Sequence, residues 1–358
     1  MILTYKCPNC GGGLQFDPNT QKYKCEFCFS IFTQEELEEL YPEDTKEQEK
    51  TGQQEGTKAP EGGEEQGDAI LYQCPNCGAQ IVTDETTAAT FCYYCHNPVV
   101  LSGRVSGTFQ PNEVIPFAID RKKAEQIFVD WIHKKRFVPN DFFSKSQIEK
   151  LSGIYFPYWM FDCQIDGSLS GEGTKIRTWQ SGDRRYTETK RFSVSRSGRM
   201  DVKNIARNAL QKADKDLIEG VLPYDMAQVQ PFSTGYLSGF GAEKRDMEST
   251  VFKDDLYTEL EQYARADLKG QAESGYNRLT IQQQDVQIRN EVWNYVLLPV
   301  WVLTYQDKAR DKVYYFALNG QTEKICGQLP VDQKKLMLLF AGIFFPLLIL
   351  FLIGGYWI

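Results

Sequence analysis

The chain has 358 residues, enough for two or three domains, and carries 48 acidic against 40 basic side chains, a formal charge of −8. With 25% charged and 42% apolar residues it is not a largely disordered chain, and its charge argues against a broad basic face for nucleic acid. The two histidines, His96 and His133, rule out histidine-rich metal sites and most histidine-dependent triads, and no stretch has the pattern of a catalytic site.

Residues 1–41 open on MILTYKCPNC, which is no cleavable signal peptide, then hold Cys7, Cys10, Cys25 and Cys28 and end in a short acidic helix. Residues 42–68 contain nine acids and three lysines among Gln and Gly, with almost no apolar side chain. Such a segment cannot bury enough area to offset its chain entropy, so a disordered acidic linker is predicted. Residues 69–103 repeat the first pattern: Cys74, Cys77, Cys92 and Cys95 follow the earlier four at a constant shift of 67, with CPNCG in both copies.

Four cysteines in two CxxC turns present four soft thiolates to one ion, the donor set of structural zinc. The glycine after the second cysteine tolerates the tight turn. Between the turns, Leu14–Asp17 with Lys22–Lys24, and Gln80–Val82 with Thr90–Phe91, read as short β-excursions, so each unit is expected to be a zinc ribbon and the chain to bind two Zn²⁺. A shell closed by four sulfurs has no open position for water, which makes the role structural and not catalytic. His96 is expected beside the site and not in it. Cys163 and Cys326 lie in strand-like segments and are expected as small buried hydrophobes. The first unit, loaded, carries a net charge of about −1 and the second about −4, so protein docking suits them better than phosphate contact. Phe16, Tyr23, Phe27 and Tyr93 are expected in the small cores.

Residues 104–331 read as one mixed α+β domain with an internal repeat. Asp120 caps a helix to Arg136 that puts Ala124, Ile127, Phe128, Trp131 and Ile132 on one face and His133 on the polar side, and Pro139 stops it. Shorter and longer helices are predicted over Ser144–Leu151 and Phe252–Lys269. Strands are predicted at Ile154–Ile165, Lys175–Gln180, Arg184–Ser195, Leu279–Ile288 and Tyr295–Tyr305. Val313–Leu318 and Thr322–Leu329 flank Asn319-Gly320, a type I′ hairpin signal. Ile154–Trp159 resembles Val296–Trp301 at an offset of 142, which suggests two related β-elements, each following a helix-containing segment. Arg184–Arg207 holds eight bases against two acids, alternating with Tyr186, Phe192 and Val194. It reads as a strand with one solvated face, with attraction to anionic headgroups or an acidic partner as the functional alternative.

Residues 336–358 carry no charge, and as a helix they are long enough for a bilayer core of about 30 Å. Lys334 and Lys335 mark the near interface, and Tyr356 and Trp357 suit the far one. Basic flanks and reduced cysteines both place the bulk of the protein in the cytoplasm, so a single-pass, tail-anchored protein of the cell membrane is predicted.

The paired cysteine units, the Pro-x-Trp strands, the Pro231–Phe240 segment, Asn319-Gly320 and the apolar tail together resemble membrane-anchored double zinc-ribbon proteins of Bacillus-like bacteria. Those are often labelled "TFIIB-type zinc ribbon" or after the replication-restart helicase (primosomal protein N′). The resemblance covers most of the chain and transfers only the eight cysteines and the tail. It implies genes beside phage-shock-protein-A homologues and a part in placing those proteins at the membrane. The helicase label has no GxxxxGK[ST] phosphate loop behind it. The expected function is a non-enzymatic adaptor in the envelope stress response, with both ribbons sampling space on the acidic tether and the α+β domain holding the partner. A membrane-tethered nucleic-acid binder is the alternative, and an enzyme around Asp225 and Tyr236 is a third reading.

Overall fold

The computed structural model describes residues 2–3, 5–41, 69–74, 80–92, 98–307 and 312–356. The linker of residues 42–68, together with Cys77, Tyr93, Cys95, His96 and Trp357, lies outside the described residues. Among those described, a mixed sheet of 11 strands dominates. The chain divides into two units: residues 1–157, 210–245 and 296–358 form the larger, and residues 158–209 and 246–295 the smaller. The expected single domain over 104–331 is therefore split, while both cysteine segments fall in the larger unit.

Arg184–Asn208 runs past its predicted end at Ser195, and two other strands each join a pair expected to be separate. Ser152–Ser181 joins two predicted strands into one, and Arg278–Asp307 joins two more. Each passes from one unit into the other, so its two ends meet different neighbours. Periodicity finds the half-buried stretches. It misses the polar joins, which are strand only because a partner carries the ladder on.

The smaller unit is a long hairpin, Tyr158–Ser181 against Arg184–Asn208, covered by the helix Thr250–Glu273. Phe161, Cys163 and Ile165 on the strand meet Leu256, Leu260 and Ala264 at helical spacing, with Val286 completing the core. Leu169, Val194 and Ala272 form a second cluster further along. Gly171 has a specific reason to be glycine, since a Cβ there would lie 2.3 Å from the Thr280 carbonyl oxygen.

In the larger unit, Asp120 caps the helix Arg121–His133 by accepting from the Lys123 amide. The helix buries Ala124, Phe128 and Ile132 and sets Phe128 4.8 Å from Phe316 of the Lys312–Asn319 strand. Ile127 and Trp131 are only partly buried, and His133 faces solvent as expected. The predicted second helix is reduced to Lys145–Ile148.

The two resembling segments, Ile154–Trp159 and Val296–Trp301, have similar surroundings. Ile154 pairs in parallel with Gly241, and Val296, its counterpart, pairs in parallel with Glu113. Trp159 donates its indole N–H to the Met247 carbonyl at 2.9 Å, and Trp301 donates to the Ile119 carbonyl at 3.0 Å. The amides of Asp246 and Met247 donate to the Ala209 carbonyl, and those of Ala118 and Ile119 to the Gly320 carbonyl. Asn208 faces Tyr158 across one ladder, as Asn319 faces Val300 across the other. Glu113–Val114 lies beside the second long strand and Gly241–Glu243 beside the first.

The Asn319-Gly320 hairpin is not the two-residue type I′ turn that was expected. Phe316–Leu318 pair with Ile325–Gly327, and a longer loop joins them. Its left-handed residue is Glu323, at φ 61°. The difference arises because Asn319 is committed elsewhere: it is fully buried and its side chain binds four backbone groups.

The second cysteine segment is built differently from the first. Ala69–Gln73 pairs with Gln80–Asp84 in a separate two-stranded sheet, whereas Thr87–Phe91 pairs with Pro98–Leu101 and Gly241–Glu243 in the large one. Lys212 holds this corner, 2.6 Å from Asp84 and 2.9 Å from Glu243. At Asp84 burial raises the carboxyl pKa, but the Lys212 and Thr87 hydrogen bonds outweigh it and hold the group well below its usual range. At Glu243, burial wins over the same lysine and the pKa is raised. A depressed carboxyl contributes stability above its unfolded value of about 4 and loses it as the pH falls through the folded value. Lys212→Met should therefore cost about 1 kcal/mol at neutral pH. The gap between urea melts of the two proteins should begin to close near pH 4 and keep narrowing as the pH falls further, and a constant gap across that range would refute the ion-pair account.

Candidate metal centre

Strand periodicity builds the first cysteine unit. Leu14 and Phe16 alternate inward on Leu14–Asp17, and Tyr23 and Cys25 on Lys22–Cys25, with Leu14 facing Cys25 and Phe16 facing Tyr23. Ile31–Phe32 adds a third strand. Thr33 then starts the helix Gln34–Leu40 with a reciprocal capping box to Glu36.

The two CxxC turns have the same backbone geometry. The Cys7 amide donates to the Gly12 carbonyl and the Gly11 amide to Cys7; the Cys25 amide donates to Ser30 and the Phe29 amide to Cys25. The residue after the second cysteine is left-handed in both, Gly11 at φ 74° and Phe29 at φ 60°. Glycine takes that conformation freely, and phenylalanine takes it at a cost.

These turns bring Cys7, Cys10, Cys25 and Cys28 together, with all four sulfurs within 4.8 Å of one another. Cys7 and Cys28 are 3.5 Å apart, and Cys10 and Cys25 3.4 Å. A tetrahedral ion with metal–sulfur bonds of about 2.3 Å needs sulfurs roughly 3.8 Å apart, so the set fits a metal. Cys7 and Cys25 are buried, and Cys10 and Cys28 lie at the surface. The Ser30 hydroxyl and amide lower the Cys28 thiol to about 6. Cys10 receives the Gly12 amide, which lowers its pKa, yet the crowding of Cys25, Cys28 and Cys7 raises it to about 12. Four sulfurs this close ionise together only with a cation among them.

Of the second set, Cys74 and Cys92 are buried against Ile81, Val99 and Leu101. Their expected partners Cys77 and Cys95 are outside the described residues. Cys163 is a buried hydrophobe as expected, its thiol raised to about 11 by burial. Cys326 is only half-buried, its sulfur 3.6 Å from the Asp216 carbonyl.

The first unit does not swing on a tether. It is seated on the segment 233–238 of the same unit: Tyr5 hydrogen-bonds Thr234 at 2.5 Å, Phe16 donates to Ser238 at 2.9 Å, and Gln34 donates to Ser233 at 2.8 Å. Tyr236 lies edge-on to Phe16, while Asp225 caps a short turn through the Ala227 amide. Gln21 reaches the Phe117 carbonyl and Asn19 reaches Asp120. Residue-type patterns along the chain carried no signal for this docking. Phe16 and Tyr23 are core residues as expected, but Phe27 is not: Phe27, Phe29 and Ile31 are 75%, 69% and 52% exposed around the second turn.

The same unit carries the apolar helix Gln333–Tyr356, about 36 Å long. It starts three residues before the uncharged run because Asp332 caps it, accepting from the Lys334 amide at 2.9 Å. Lys335 donates to the Val138 carbonyl and Asn140, which ties the helix base to the loop after the first long helix. Gln333–Ile353 has a mean hydropathy of 2.9 with no part of the apolar window buried, so it is long and apolar enough to cross a membrane.

No family model matches the chain, and no solved structure matches it. It is 32% identical over 347 residues to the uncharacterized protein YdjG of Bacillus subtilis (strain 168), covering 96% of this chain and 94% of that one.

Proposed function

The chain belongs to the same family as Bacillus subtilis YdjG, and from that premise we propose that it is a membrane-held zinc adaptor that docks a protein partner at the bilayer. In this reading the helix Gln333–Tyr356 is the anchor, the folded units face the cytoplasm, and Zn²⁺ fills both cysteine sets. Bound zinc supplies rigidity there: Cys7, Cys10, Cys25 and Cys28 hold the two turns in register, with Cys74, Cys77, Cys92 and Cys95 as the second set. A phage-shock-protein-A-like scaffold is the partner implied by the family resemblance, in an envelope stress response.

One observation carries the docking role. Phe27, Phe29 and Ile31 form an exposed apolar patch on the rim of a closed metal site, with Phe29 held in a backbone conformation that disfavours it. A patch presented against both solvation and backbone preference is a contact surface. Lys24 sits 5.8 Å over the Phe29 ring.

The test is crosslinking and capture from native membranes in mild detergent. Phe27→Ser with Phe29→Gly should leave metal content unchanged, since glycine suits the left-handed position. The same double change should lose the captured partner at least tenfold. Equal recovery would remove this patch from the mechanism. Salt-sensitive binding of oligonucleotides by the intact protein, lost with the same variant, would favour the nucleic-acid reading instead.

A further inference from the structure

The end of the long hairpin in the smaller unit has no place in the adaptor reading. Every residue from Lys175 to Thr187 is exposed. The last buried cluster along the hairpin centres on Leu169 and Val194, with Tyr276 at its edge. Asn277 donates to the Thr174 carbonyl and accepts from the Ile176 amide. Beyond Ile176 the two strands run on, among the described residues, with no backbone partner but each other for roughly 16 Å, at about 3.3 Å per residue. A two-stranded ribbon with nothing on either face is marginal in water.

Its composition is not that of a solvated turn. Gly182 at φ 60° makes the tight turn, and the register sets Trp179 opposite Tyr186 and Lys175 opposite Lys190. Alternation therefore puts Lys175, Arg177, Trp179, Arg184, Tyr186, Lys190 and Phe192 on one face with Glu188. Trp179 and Tyr186 stack at 5.7 Å and are 43% and 44% exposed. Arg177 lies over Trp179, and Lys175 over Phe192 and Tyr276. Glu188 is taken by Lys190 at 3.2 Å. Among the described residues no carboxylate is in ion-pair contact with Lys175, Arg177 or Arg184. The face thus presents three uncompensated cations around an exposed Trp–Tyr pair, in a chain whose net charge is −8.

We infer that this hairpin face binds an anionic lipid surface, with Trp179 and Tyr186 at headgroup depth and Lys175, Arg177 and Arg184 against lipid phosphates. Tryptophan and tyrosine suit that interface because each has an apolar body and a polar tip. Each basic side chain near an anionic leaflet strengthens attachment about fivefold. The inference rests on the membrane-held reading, which places a bilayer within reach of the chain. It adds that this second contact depends on lipid charge.

The full chain is reconstituted in lipid nanodiscs of phosphatidylcholine alone or of a two-to-one mixture with phosphatidylglycerol, and tryptic cleavage after Arg185 is followed by mass spectrometry. Cleavage should be at least about tenfold slower on the anionic discs, and high salt should abolish the difference. Lys175→Gln with Arg177→Gln and Arg184→Gln should be cleaved equally on both, with folding verified by unchanged hydrogen-exchange protection of the helix Thr250–Glu273 that covers the hairpin. Equal cleavage of the unaltered chain on the two discs overturns the inference, as does protection by an oligonucleotide or an acidic protein but not by anionic lipid. Failure of the chain to stay with neutral discs without detergent would instead overturn the anchor reading.

Discussion

Replacing Cys25 with serine should remove one bound metal ion per chain and melt the first cysteine unit off the segment it sits on. Cys25 is fully buried, closes the hairpin opposite Leu14 and stands 3.4 Å from Cys10. Without a fourth thiolate the remaining sulfurs bind a metal weakly, and structural zinc in small domains supplies about 10–16 kcal/mol of apparent binding energy. That rivals the entire stability of an ordinary domain, about 5–15 kcal/mol. The unit's own core is little more than Tyr5, Leu14, Phe16, Tyr23 and Leu37, too small to hold without the ion. Limited proteolysis should then cut between residues 10 and 40, and hydrogen exchange should rise over 233–238, where Tyr5, Phe16 and Gln34 are bound. The hairpin and helix of the smaller unit should keep their protection. A chelator should reproduce the pattern in the unaltered protein. Unchanged metal content in Cys25→Ser would mean that these four cysteines do not hold the ion.

Asn319→Ala should destabilise the protein by about 3–4 kcal/mol. The Asn319 side-chain amide donates to the Val221 and Pro223 carbonyls at 2.8 and 3.2 Å. Its oxygen accepts from the Gln321 and Thr322 amides, both at 2.9 Å. Each hydrogen bond contributes about 1 kcal/mol net, and a buried group left without a partner costs about 1–3 kcal/mol more. Thermal unfolding should fall by roughly 10 °C. Asn319→Asp separates the two halves of the argument, because it keeps the acceptor for Gln321 and Thr322 but turns an oxygen toward two carbonyls. It should be at least as unstable as alanine at neutral pH and should recover in acid, where a protonated carboxyl can donate. Melting temperatures for both variants within 2 °C of the parent would show that solvent reaches this corner (a shift that small corresponds to less than about 1 kcal/mol).

Some of this was legible from the chain alone. The spacing of Cys7, Cys10, Cys25 and Cys28 encodes the metal geometry directly, because a CxxC turn fixes where its two sulfurs go and Gly11 permits that turn. The faces of the helices at 121–133 and 250–273, and the apolar run from Leu336, follow from burial at helical spacing and from hydropathy, both local properties. The likeness of Ile154–Trp159 to Val296–Trp301 was likewise visible as sequence. Only the tertiary structure decided what those pieces bind. Ile154 and Val296 pair with strands distant in the chain, the first cysteine unit is fastened through Thr234 and Ser238, Asn319 ends a strand before a loop longer than two residues, and Phe27 faces solvent. Each of these is set by a partner far away in the chain. A residue's period tells which face is apolar, and the identity of the surface that covers it is a long-range fact that no local pattern contains.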